Sequence, residues 1–262
     1  MPMKRRYFSG VVLPQRAPLT ITEVRSQIVK ADGSEYARLA LNVYNNQITV
    51  TVETNETDIL TIRNLVRSEA EFVTNLAGFL VGYGYDVEIT KAFDETLGET
   101  QVFGVDIPVL AARAKYRDPM VSANAVFPLC FGELAIFLRR CLADLSFAIK
   151  RLDDTGFYCF RAIESLRQAF GHELKLVSEV SQWKAMADAL RTSKQDSEKL
   201  RKHALSARHG IPRPLSDEER QELLLYTWDI VERYIDHRLA QSGSAFRVHA
   251  ASHAPNASPN TE

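Results

Sequence analysis

The hydrophobic pattern changes period along the chain. Between residues 7 and 53 the apolar runs are short and bounded by turn residues: Tyr7 to Leu13 contains Gly10 and ends at Pro14. Tyr36 to Val43 and Gln47 to Glu53 flank Asn45-Asn46, a dipeptide that tolerates positive φ and suits a hairpin turn. From Gln47 to Glu53 apolar and polar residues alternate, which puts Ile48, Val50 and Val52 on one buried face. A helix follows, with Asn55 or Thr57 as its cap. Ile59, Ile62, Leu65, Val66, Phe72, Val73, Leu76 and Phe79 recur near the helical period and form its expected core stripe. Gly82 and Gly84 end it. Tyr85–Thr90 and Val102–Leu110 read as further strands. Residues 1–125 are therefore expected to form an α+β domain, a mostly antiparallel sheet with one long helix.

From about Phe131 the period is helical throughout, and a bundle of about five helices is expected over 131–240. The first helix runs from Gly132 to Leu152. A second, capped by Asp153 or Asp154, turns Phe157, Cys159, Phe160, Ile163, Leu166 and Phe170 inward and stops at Gly171. A third carries Val177, Val180, Trp183, Met186 and Leu190. Ser193 caps a fourth, Lys194 to His209, which Gly210 closes. Ser216 with Glu219 three residues on forms a capping box for the fifth, whose inward residues are Leu223, Leu224, Trp228, Ile230, Val231 and Tyr234. Residues 241–262 are Ser, Ala, Asn and Pro with little to bury and read as a disordered tail.

Composition narrows the function classes. Of 262 residues, 45% are hydrophobic and 25% charged, which excludes collagen-like, mucin-like and wholly disordered chains. The 32 basic and 33 acidic residues nearly cancel, so nucleic acid can be bound only through a local patch. Cys130, Cys141 and Cys159 lie in apolar stretches without CxxC spacing, as buried thiols in a reducing compartment do. Lys4-Arg5-Arg6 is followed by Pro14, Arg16 and Pro18, which interrupt any signal-peptide core. No run approaches the roughly 18 apolar residues of a membrane helix. A cytoplasmic protein without a membrane segment is expected.

The chemical lead lies in the fourth helix. Residues 191–213 hold seven basic residues against two acids, the most basic window of a neutral chain. At about 100° per residue Leu200, Ala204 and Ala207 form the core stripe. Arg201 and Arg208, seven apart, share one flank, and Lys202 and His209 face away from the core. Arginine grips a phosphate in a bidentate fork, lysine adds a positive field, and histidine exchanges a proton near neutral pH. Metal-free RNA cleavage needs those three properties: a base for the 2′-hydroxyl proton and a cation for the charge growing on phosphorus. The same residues also suit a helix C-terminus, where cations favour the macrodipole and His209 meets the last carbonyls. Arg161 and Glu164 on the second helix, with His203, are supporting candidates; the first two either orient Arg201 or form an i,i+3 ion pair in solvent.

The bundle resembles the HEPN superfamily. Arg201, Lys202 and the terminal Arg208-His209-Gly210 carry the likeness, with Trp183 and the segment Phe157 to Glu164 upstream. That family includes metal-independent ribonucleases, toxins, phage-defence effectors and inactive binding modules. The resemblance implies an endoribonuclease or RNA-binding effector in stress or defence. Arg201 and His209 would be catalytic, Lys202 and Arg208 would bind phosphate, and the site would form across a homodimer. The N-terminal domain would then sense or recruit a protein partner. The spacing departs from the family pattern, since seven residues separate Arg201 from His209 and Lys follows the arginine. The competing reading is a non-enzymatic ligand-binding or protein-interaction module. Neither reading calls for a cofactor. The six histidines lack zinc-ligand spacing, and His172-Glu173 lacks the second histidine of HExxH.

Overall fold

In the computed structural model, residues 3–104, 107–115, 117–193, 198, 200–205 and 215–241 are described. Packing divides the chain into two units, Met1–Val105 and Asp106–Glu262. The fold is α+β: a six-stranded antiparallel sheet with one long helix, then a helical region.

The first unit runs β1 (Lys4–Leu13), β2 (Ile21–Val29), β3 (Glu35–Tyr44), β4 (Gln47–Thr54), α1 (Ile59–Val81), β5 (Asp86–Asp94) and β6 (Glu99–Val102), with strand order β2-β3-β4-β1-β5-β6. Alternation sets the register. Ile48, Val50 and Val52 are buried and pair with Val43, Leu41 and Leu39 of β3. The hairpin turns on Asn45 (φ 46°) and Asn46 (φ 67°). Asn46 does more than turn the chain. Its buried amide donates to the carbonyl of Val12 at 3.1 Å and of Ala17 at 3.3 Å, and its oxygen accepts from the amide of Leu19. One side chain thus satisfies three backbone groups of the β1–β2 connection.

Two readings of this unit are corrected. α1 is capped by Asp58, whose carboxylate accepts from the amides of Leu60 and Thr61, rather than by Asn55 or Thr57. The expected strand over 102–110 ends at Val102, and Pro108 opens a helix, its missing N–H costing nothing at that position. β2 joins the sheet at its edge.

The second unit contains α2 (Pro108–Ala114), α3 (Pro119–Val126), a 3₁₀ turn (Phe127–Cys130), α4 (Ala135–Lys150), α5 (Thr155–Glu173), α6 (Glu179–Leu190), a helical segment α7 over 200–205 and α8 (Asp217–Gln241). Leu138 and Leu145 of α4, Ile163 and Leu166 of α5, Met186 of α6 and Leu224 of α8 meet in one core. The capping box of α8 is formed as read: the amide of Ser216 donates to Glu219 and that of Glu219 to the Ser216 hydroxyl, both at 3.1 Å.

Helix α5 continues past Gly171 to Glu173. Gly171 is buried, and a Cβ there would lie 2.7 Å from the Gln182 side chain, so the glycine permits α6 to approach rather than ending α5. Nor do Val177 and Val180 face the core. They are exposed, and α6 buries Gln182, Met186 and Leu190 instead. Trp183 stacks on Phe160 with ring centroids 6.0 Å apart and lies under the Arg167 guanidinium at 5.5 Å. The Ser193 cap, most of residues 194–199 and the 242–262 tail lie outside the described residues.

Burial pushes the Cys159 thiol up to about 12 and that of Cys141 higher still, whereas Cys130 is half-buried. A thiol-specific reagent is therefore expected to find one reactive cysteine, Cys130, in the folded chain and three after denaturation. A second thiol reacting rapidly in the native protein would contradict this packing of α4 against α5.

Candidate functional site

The basic cluster of the sequence is only partly within the described residues. Arg201 and Lys202 stand exposed on α7, while Leu200, His203 and Ala204 are buried. His203 lies over α5, close enough that a Cβ added to Gly156 would sit 2.8 Å from its own Cβ. It is a packing residue of the bundle. Arg208, His209 and Gly210 lie outside the described residues.

Arg161 and Glu164 do not pair with each other as an i,i+3 ion pair. Arg161 reaches across to α4 and binds Asp144, with Nε 3.0 Å from both carboxylate oxygens. Asp144 is fully buried and also lies 3.5 Å from Arg140. The Arg161 guanidinium rests against the rings of Phe157 at 5.2 Å and Tyr158 at 5.1 Å. Its fork joins α5 to α4, and two rings of its own helix pack against the guanidinium. Glu164 lies 4.0 Å from Arg167 on its own helix.

Two other features stand out. A cavity of about 940 Å³ opens in the helical unit beside the start of α4 and the ends of α5 and α8. Phe131, Leu134, Leu138 and Leu176 form its apolar wall, with Tyr234 alongside. Its charged rim is largely paired: Arg238 binds Glu173 at 2.6 Å, and His172 lies 3.6 Å from Glu133. Burial pushes the Tyr234 phenol up to about 12, so its hydroxyl keeps its proton at neutral pH.

The second feature is on α1, whose inward residues become smaller toward its C-terminal end. Ile62, Val66, Ala70, Thr74 and Gly78 face the sheet. Phe72 is 64% exposed, Leu76 52%, Phe79 83% and Leu80 72%. The expected core positions Phe72, Leu76 and Phe79 are therefore solvent-facing. They sit at i, i+4 and i+7, one stripe along the outer face.

Family models match the chain in two adjoining parts: the N-terminal domain of DUF8168, a domain of unknown function, over residues 6–103, and the DUF8168 C-terminal domain over residues 123–239. The chain belongs to the DUF8168 family. No curated protein and no solved structure matches it.

Membership in DUF8168 overturns the HEPN resemblance. The residues that carried it, Phe157 to Glu164, Trp183 and Arg201 to Gly210, all fall within the DUF8168 C-terminal domain, and no HEPN model matches. The physical reason is that the likeness rested on helical period and a short basic stretch, which many bundles share. In this chain the aromatic and arginine positions of α5 have a local use, since Arg161 binds Asp144 and packs against the rings of Phe157 and Tyr158. Among the described residues of this DUF8168 protein, no group of three or more His, Cys, Asp or Glu is placed to hold a metal. None of its described helices is long and apolar enough to cross a membrane.

Proposed function

We propose that this DUF8168 protein is a non-enzymatic interaction module that self-associates through the outer face of α1. The observation that carries the reading is the exposure of Phe72, Leu76, Phe79 and Leu80 together on one helix. A fully exposed large side chain presents roughly 200 Å², so these four expose roughly 500 Å². That is near the largest apolar patch of an ordinary monomer. Pairing two copies removes roughly 1,000 Å² from water, the size at which specific interfaces begin. The stripe is self-complementary: its i, i+4, i+7 spacing suits an antiparallel pairing with its twin about a two-fold axis. Exposed Ser68 and Asn75 interrupt the stripe and give it a polar register mark.

The ribonuclease reading rests on Arg201 and Lys202, exposed on α7, and on Arg208 and His209, which lie outside the described residues. The three free thiols suit a reducing compartment, and the proposal places the protein in the cytoplasm.

Sedimentation of the full chain is expected to show a dimer. Phe72→Ser with Phe79→Ser should give a monomer that melts like the wild type at low concentration, each ring contributing about 2 kcal/mol and hence more than tenfold in dissociation constant. A monomeric wild type, or a double variant that still dimerises, overturns the proposal. RNA incubated with the protein in EDTA is expected to survive as well as it does with an Arg201→Ala, His209→Ala variant. Faster cleavage by the wild type would show that the module is an enzyme.

A further inference from the structure

We propose that the cavity in the helical unit binds a small monocarboxylate with an apolar body. This goes beyond the α1 interface, to which it owes nothing. About 940 Å³ is within the range of pockets that enclose small ligands, commonly 300–1,000 Å³. Phe131, Leu134, Leu138 and Leu176 give it an apolar wall that favours hydrocarbon over a sugar or a nucleotide.

Two of the lining groups, Lys175 and Tyr234, are donors, and the carboxylate of Glu133 lies on the outer rim, 81% exposed. Glu173 is neutralised by Arg238 and Glu133 faces His172. Lys175 is exposed at the mouth, held at φ 53°, and makes no ion pair with a described residue. Tyr234 is 2% exposed, lines the cavity, and its hydroxyl makes no hydrogen bond to a described residue. A ligand oxygen that accepts from this hydroxyl displaces no hydrogen bond to a described residue. One lysine and one phenol match a single negative charge with two acceptor oxygens. They are too few cations for a phosphate dianion. The carboxylate would sit between Lys175 and Tyr234, with its tail along the leucine wall.

Calorimetric titration of the full chain tests this with decanoate, and with decanol as the same hydrocarbon without the charge. Decanoate is expected to bind, and decanol to bind at least about tenfold more weakly, as the loss of a charge-assisted pair implies. Lys175→Asn removes the charge while tolerating the left-handed backbone, and Tyr234→Phe removes only the hydroxyl. Each should weaken decanoate by about tenfold and leave decanol unchanged. Lys175→Asn is on the surface and keeps the test decisive if Tyr234→Phe disturbs the core. Equal binding of decanol and decanoate overturns the proposal, as does decanoate binding that survives Lys175→Asn, or the absence of any binding. Repeating the titration on the monomeric α1 variant separates this result from the dimer, since binding there should be unaltered.

Discussion

Replacing Glu232 by alanine is expected to destabilise the helical unit by about 3 kcal/mol or more. Glu232 lies on α8 and is 3% exposed. Its carboxylate accepts from Arg113 Nε at 3.1 Å and from the guanidinium of Arg117, both in or just beyond α2. Asp229, one turn earlier, takes a second contact from Arg113 at 3.1 Å and pairs with Arg233 at 2.6 Å. Two arginines therefore converge on one buried carboxylate. Removing it leaves both guanidiniums partly desolvated with only Asp229 to share, and the penalty of unpaired charge exceeds the worth of the pair itself. Glu232→Gln keeps an acceptor and the packing volume, so it should lose less. The readout is clean because both tryptophans of the chain, Trp183 and Trp228, belong to the helical unit. Denaturant unfolding followed by tryptophan fluorescence should show the midpoint fall for Glu232→Ala, and by a smaller step for Glu232→Gln. A midpoint unchanged from the wild type in both variants would mean that charge pairing contributes nothing at this position.

How much of this was legible in the sequence depends on where the determining contact lies. β4 was readable because one face is wet and the other dry, so Ile48, Val50 and Val52 alternate with polar residues. The Asn45-Asn46 turn and the Ser216/Glu219 box were readable because their chemistry is local, within three residues. β2 escaped notice because it is an edge strand whose residues are all exposed or only half-buried, and no alternation survives. The apolar stretch from Val102 to Leu110 has no period that separates strand from helix, and Pro108 decided it. Gly171 looked like a stop signal because a glycine that ends a helix and one that lets a neighbour approach are the same letter. The partners of Arg161 were invisible for another reason. Asp144 is seventeen residues away on a different helix, and nothing in sequence spacing marks it. The cavity is likewise assembled from the 3₁₀ turn, α4, α5 and α8, elements that meet only in three dimensions.

The helix α1 was misread in a way that leads to the last prediction. Helical period selected Phe72, Leu76 and Phe79 as core, yet at the C-terminal end of α1 the inward position Gly78 leaves no room for a side chain. A Cβ at Gly78 would stand 2.3 Å from the carbonyl oxygen of Tyr83 and 3.3 Å from the Tyr85 ring. The Tyr83 amide donates back to the Gly78 carbonyl at 2.9 Å, so the turn that follows the helix is tied to it and cannot easily withdraw. Gly78→Ala gains about 1 kcal/mol of helix propensity but must push this turn outward, at about 3 kcal/mol for overpacking. A net loss of about 2 kcal/mol is expected. Next door, Phe79→Ala deletes a whole ring that is 83% exposed, and its cost to folding should stay within about 0.5 kcal/mol. One added methyl group is thus expected to harm the N-terminal unit more than the loss of a phenyl. That unit contains no tryptophan, so the shift should appear in the far-ultraviolet dichroism while the tryptophan transition stays in place. Working at low concentration removes the contribution of self-association to the melting of Phe79→Ala. Were Phe79→Ala the more damaging of the two, α1 would have to be rotated about its axis with its aromatic stripe against the sheet, and the surface assigned to the dimer would no longer exist.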